Sequence, residues 1–165
     1  AHLGVPSLEP ETTSRKRLAN GLVSRKLLKS TNQCYLVKIV FMKNEYSAEA
    51  KERWGDSEQF KESAKRTAKY SKEDFAKASK AQEQAINLFI YAMESRMSAD
   101  SPEASASVFA HRKAISDWFY ECSLEMQVEL AKIYLADERF TQFYESRRTG
   151  LAQFVHDGIL ASARG

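Results

Sequence analysis

Glycine and proline are scarce, and where they are missing matters more than how many there are. The 165-residue chain has six Gly and three Pro; between Asp56 and Thr149 there is no glycine and one proline, Pro102. A multi-stranded sheet needs turns, and turns need Gly, Pro and Asn-type punctuation. Their absence excludes an all-β or α/β fold and leaves an all-α domain of about seven helices. Cysteine is equally scarce. Cys34 and Cys122 cannot build a disulfide framework. With no secretory leader read at the N-terminus, a cytoplasmic protein is expected. No apolar run approaches the ~20 residues of a membrane helix, so no membrane association is expected.

Catalytic and metal-binding sets are missing as well. The three histidines are His2, His111 and His156. No Glu-x-x-His pair, HExxH, CxxC, GxSxG or phosphate-cradling glycine loop is present. His111 and Cys122 are eleven residues apart, about three helical turns, too far along one straight helix for a nucleophile–base pair. No enzyme activity, catalytic residue, metal or cofactor is expected.

Charge of one sign is concentrated at the start. Residues 1–41 hold seven Lys/Arg against two Asp/Glu, a balance of +5, and residues 42–165 hold 18 against 20, a balance of −2. The body therefore carries no electrostatic footprint for nucleic acid. Residues 1–40 read as a flexible basic leader, native or left by recombinant expression, ahead of a helical domain over 41–165. The apolar run 34–42 is too short to assign by pattern.

What is present is helical periodicity with recognisable ends. A first helix is expected over 45–53, stopped at Trp54-Gly55 by a left-handed glycine cap. Asp56 with Gln59 reads as the start of a second, running to about Lys69. Ser71 with Asp74 starts a third, long helix to about Met97, with Phe75, Ala78, Ala85, Ile86, Phe89, Met93 and Met97 on one stripe. Ser101-Pro102-Glu103 opens a fourth, carrying Ala104, Val108, His111, Ile115 and Phe119 on one face. Ser123 and Asp137 are the next caps. Residues 124–135 are apolar on most sides, except for a polar stripe of Glu125, Glu129 and Lys132. A final helix follows Thr149-Gly150 and buries Leu151, Phe154, Val155 and Ile159.

Eight of the 18 aromatic residues fall between Trp118 and Phe154. Trp118-Phe119-Tyr120 places three in succession at a helix end, pointing about 100° apart. One of them should face a cleft or a mobile element, unless two core faces meet there. Methionines 93, 97 and 126 add adaptable surface, or simple core filler. On its own face His111 reads first as a hydrogen-bonded core residue.

Several strings, taken in order, carry a resemblance. They are Ala50-Lys51-Glu52-Arg53-Trp54-Gly55-Asp56, Tyr70-Ser71-Lys72-Glu73-Asp74-Phe75, His111-Arg112, Trp118 to Met126 (WFYECSLEM), Tyr134-Leu135-Ala136-Asp137-Glu138-Arg139-Phe140 and Gly150-Leu151-Ala152. Over about residues 41–163 the chain resembles the TipA-type antibiotic-recognition domain (TipAS) of MerR-family transcriptional regulators.

The resemblance implies a globin-like helical fold and an aromatic-lined cleft for thiopeptides or other large, polycyclic, apolar antibiotics. It also implies first helices, here about 44–69, that are loosely ordered until ligand clamps them. Independently, Phe60 is the only large apolar residue of the second helix before Tyr70, too little for a stable isolated helix. The expected ligand-binding residues are Trp54, Phe89, His111, Ile115, Trp118, Tyr120, Met126 and Glu129. Some members of the family trap dehydroalanine-bearing thiopeptides on a cysteine seven residues after the one in Tyr-x-Cys. Here that position is Glu129, so reversible binding is expected. DNA contact is expected only through an upstream MerR half absent from this chain, with a monomer for the isolated domain and a dimer for a full regulator. Met42 sits where a free-standing, drug-sequestering form would begin. The alternative is a helical protein–protein interaction domain using the same aromatic face.

Overall fold

A computed structural model describes residues 47–165; the leader over 1–40, the apolar run 34–42 and Met42 lie outside the described residues. Among those residues there are seven helices and no strand: α1 (Ser47–Trp54), α2 (Glu58–Thr67), α3 (Lys72–Glu94), α4 (Pro102–Trp118), α5 (Leu124–Ala136), α6 (Glu138–Glu145) and α7 (Leu151–Arg164). Helices α3 and α4 form a hairpin, α5 packs on α7, and α7 also touches α3, α4 and α6. Helix α2 lies against α4.

Most starts follow the caps in the sequence. Ser71 Oγ accepts from the Asp74 amide while the Asp74 carboxylate accepts from the Ser71 amide, a reciprocal box. Ser101 and Ser123 cap α4 and α5 through the amides of Ala104 and Met126. Asp137 caps α6 through the Arg139 amide. Helix α7 has no side-chain cap at Gly150 itself, whose φ of 83° lies in the left-handed region. Glu145 supplies the cap instead, its carboxylate accepting from the amides of Gly150 at 2.7 Å and Ala152 at 3.1 Å. That places a negative charge at the positive end of the helix.

The structure corrects four expectations at helix ends. The cap of α2 is Ser57, whose Oγ accepts from the Phe60 amide, rather than Asp56. Helix α2 stops at Thr67 instead of Lys69. Gly55 is not left-handed, since the only positive-φ glycines among the described residues are Gly150 and Gly165. It is needed for space: a Cβ there would run into the Lys51 carbonyl oxygen. Finally, α3 ends at Glu94, short of Met97. Arg96 takes the left-handed conformation (φ 57°). The amides of Arg96 and Met97 return to the carbonyls of Met93 and Ala92, both at about the 3 Å of an ordinary hydrogen bond. This is a Schellman end made without glycine, so no glycine marked it in the sequence. Arg96→Gly should raise stability by roughly 0.5–1 kcal/mol, because glycine carries no Cβ penalty there. An unchanged or lower urea midpoint would count against this account of the end.

The core follows the stripes closely. Ala104, Val108, His111, Ile115 and Phe119 are all buried on one side of α4. On α3, Ala78, Ala85, Ile86 and Phe89 are buried while Phe75 and Met97, expected on the same stripe, are exposed. Phe75 instead sets its edge against Tyr70. In α7, Leu151, Val155 and Ile159 are buried and Phe154 packs against the core from a half-exposed position.

Candidate functional site

The aromatic corner forms where α4 runs out. Trp118 ends α4 and Phe119 caps it; Tyr120 to Ser123 then turn the chain into α5. Phe119 and Tyr120 are both 0% exposed, and Trp118 is half-buried. Two core faces therefore do meet here, and Trp118 is the one of the three that reaches the surface. The turn is held by Ser116, whose Oγ accepts from the Cys122 amide at 3.1 Å.

Two side chains from outside α4 serve its last carbonyls. Tyr70 Oη donates to the Trp118 carbonyl at 2.6 Å, and its ring meets the Trp118 indole edge-on with centroids 5.7 Å apart. Arg66 Nη1 donates to the Ser116 carbonyl at 2.7 Å, with Glu62 holding the other guanidinium nitrogen. A helix end otherwise leaves such carbonyls to water. The segment 58–70 thus lies across the corner as a strap. Helix α1 is tied to α6. Trp54 is buried, and Glu49 accepts from Arg139 Nη1 at 3.0 Å while Asp137 accepts from Nη2 at 2.7 Å.

Beneath the corner sits a buried polar cluster. Gln127 Nε2 donates to the Val108 carbonyl at 2.9 Å and lies 3.0 Å from His111 Nδ1. A carbonyl only accepts, so the amide is oriented and Nδ1 must accept too. The imidazole proton is then on Nε2, which faces Tyr134 Oη at 3.3 Å and Tyr144 Oη at 3.5 Å. Burial pushes the Tyr144 phenol well above its usual range. Phe89 closes the cluster edge-on to His111. The nitrogen chemical shifts of His111 should report the Nε2–H tautomer near pH 7; an Nδ1–H signature would overturn the assignment of the Gln127 amide.

Of the eight residues expected at the site, Trp54, Phe89, His111, Ile115 and Tyr120 are buried in this arrangement, and Trp118, Met126 and Glu129 are half-buried. Glu129 is not simply part of a solvated stripe. Its carboxylate pairs with Lys132 and lines a recess with Leu124, Glu125, Val128 and Ala163. Cys122 is buried, and burial pushes its thiol up to about 12. Residues that the sequence reading passed over are Arg66, Tyr70 and Gln127. Gln127 carried a signal, as an amide on the buried side of an otherwise apolar helix. The described residues hold no group of three or more His, Cys, Asp or Glu able to bind a metal, and no helix long and apolar enough to cross a membrane.

The TipAS antibiotic-recognition domain matches residues 46–162, from just before α1 into the last turn of α7. The chain belongs to the TipAS family. It is 34% identical over 123 residues to the HTH-type transcriptional activator TipA of Streptomyces coelicolor, covering 74% of this chain and 49% of that protein. It is 32% identical over 115 residues to the HTH-type transcriptional activator mta of Bacillus subtilis, covering 70% of this chain and 44% of that protein. The chain spans about half the length of the curated relatives it matches. A solved TipAS from Streptomyces lividans, in complex with nosiheptide and described within a thiopeptide antibiotic multidrug resistance system, superposes with a TM-score of 0.69. Identity there is 33%, over 77% of this chain and 91% of that one. The TipAS domain is thus all-helical and globin-like here, as the resemblance implied.

Proposed function

We propose that this TipAS domain binds large hydrophobic antibiotics, thiopeptides or other polycyclic drugs, reversibly and without catalysis. The cleft lies between the segment 47–70, made of α1 and the strap, and the aromatic corner. The observation that carries this reading is the match over 46–162, which takes in strap, corner and α7 together. Trp118 and Met126 offer the exposed flank of the cleft; Phe89, His111, Ile115 and Tyr120 form its inner wall, and Trp54 closes it from α1. The binding unit lies within 41–165, and deletion of 1–40 should leave affinity unchanged. Two relatives are named as HTH-type transcriptional activators; within such a protein the domain would serve as the effector-sensing part, touching DNA through a MerR half.

Titration with nosiheptide, followed by tryptophan fluorescence, tests the reading, because Trp54 and Trp118 stand on the two sides of the cleft. Saturable change supports it; no response to nosiheptide or to a panel of polycyclic antibiotics would refute it. Amide exchange over 47–70 should slow in the complex, since a segment that orders on a ligand wraps it at an entropic cost.

Binding should leave no covalent trace. By the family resemblance, Glu129 stands at the position of the trapping cysteine. Burial pushes the Cys122 thiol up to about 12, against the opposite pull of Arg112, so it is a poor source of nucleophilic thiolate near neutral pH. Mass spectrometry after incubation with a dehydroalanine-bearing thiopeptide should show unmodified protein. An adduct on Cys122 would contradict this.

A further inference from the structure

The N-terminal half of α5 and the end of α7 leave a recess of about 210 Å³, lined by Leu124, Glu125, Val128, Glu129 and Ala163. Pockets that take whole drug-sized ligands run to roughly 300–1,000 Å³. This recess has room for one arm of such a ligand. Its lining is apolar apart from the two carboxylates, and these do different work. Glu125 is committed to the start of α5, where hydrogen bonds with its own backbone amide and the Ser123 hydroxyl hold its carboxyl below the usual range. Glu129, one turn on, is 27% exposed and pairs with Lys132 Nζ at 2.5 Å.

The Glu129–Lys132 pair is an i,i+3 contact on one helix, and Lys132 is 48% exposed. Such surface pairs are weak, and the lysine stem swings into water at little cost. A cation arriving over Leu124, Val128 and Ala163 would exchange one ion pair for another and bury its apolar body as well. An anion would meet two carboxylates and displace nothing.

We infer that this recess is a subsite for a protonated amine carried on an apolar arm, with Glu129 as its counter-charge and Lys132 as the internal cation it displaces. The inference rests on the antibiotic-binding reading for what carries the amine, and not for the recess itself.

Three matched probes test it: naphthylmethylammonium, naphthylmethanol and naphthoate, titrated at neutral pH and low salt while backbone amide shifts are followed. The ammonium should bind about three- to fivefold tighter than the alcohol, the range of a surface ion pair, and naphthoate more weakly than both. Shifts should centre on 124–129 and Ala163, and the preference should fade in 0.5 M salt, where the screening length is only a few ångströms. Glu129→Gln should abolish the preference. Lys132→Gln should enlarge it about twofold, because the competitor is gone. Equal affinity for ammonium and alcohol, weaker ammonium binding by Lys132→Gln, or shifts confined elsewhere would overturn the inference. Nosiheptide binding with no ammonium preference would sink the recess alone. Ammonium binding at the recess without any antibiotic response would support it and sink the antibiotic reading.

Discussion

Phe89→Ala should cost about 3–5 kcal/mol of folding stability, the range for emptying a buried phenylalanine site. Phe89 is 0% exposed, sets its edge against Phe154 and His111, and reaches toward Gly158 across the α3–α7 contact. Its loss leaves a cavity that three helices share, and none can close it alone. In urea the midpoint should fall steeply with an unchanged slope. Leu88→Ala, one residue away on the exposed side of α3, should stay within about 0.5 kcal/mol. If both variants moved alike, Phe89 would not be part of a shared core. Because Phe89 also stands among the proposed binding residues, affinity for nosiheptide should be measured only under conditions where the variant is still folded.

Trp118→Ala should show the opposite balance. Trp118 is half-buried and its indole packs edge-on to Tyr70. The carbonyl that Tyr70 holds belongs to the backbone of residue 118, so that hydrogen bond survives the substitution. The stability loss should therefore stay below the full-burial range, at roughly 1–2 kcal/mol. Truncating a central aromatic of a small-molecule site typically costs ~2 kcal/mol or more, about thirtyfold in affinity. Nosiheptide affinity and unfolding free energy measured on the same variant separate the two roles. A stability loss as large as that of Phe89→Ala, with affinity retained, would make Trp118 a core residue and move the cleft elsewhere.

Much of the fold was legible because it is written in local signals. Ser71, Ser101, Ser123 and Asp137 cap helices as their spacing says, and the α4 stripe from Ala104 to Phe119 is buried along its whole length. The misses are where chemistry substitutes for the usual marker. Arg96 took a conformation normally left to glycine, and Ser57 outcompeted its acidic neighbour as a cap. The candidate site was legible in outline only. A helical wheel gives a face, not a depth. It could not separate Tyr120, sealed in the core, from Trp118, which reaches the surface. Nor could it pair Tyr70 and Arg66 with carbonyls 48 and 50 residues away, since such contacts have no periodicity. Glu129 illustrates the same limit: its stripe said solvent, while its place beside α7 is set by tertiary packing.

The strap's two hydrogen bonds to the end of α4 tie remote parts of the chain into one opening unit. When 58–70 lifts away, the carbonyls of Ser116 and Trp118 lose their donors at the same moment, so the last turn of α4 and the bend behind it should loosen with it. Partial opening of this kind lies at the low-free-energy end of a protein's fluctuations and exposes only what it uncovers. Tyr70→Phe removes one of the two links and leaves the ring. The variant should therefore raise amide exchange in two separate stretches, 58–70 and 116–122, by a common factor, while α7 keeps the exchange rates of the parent protein.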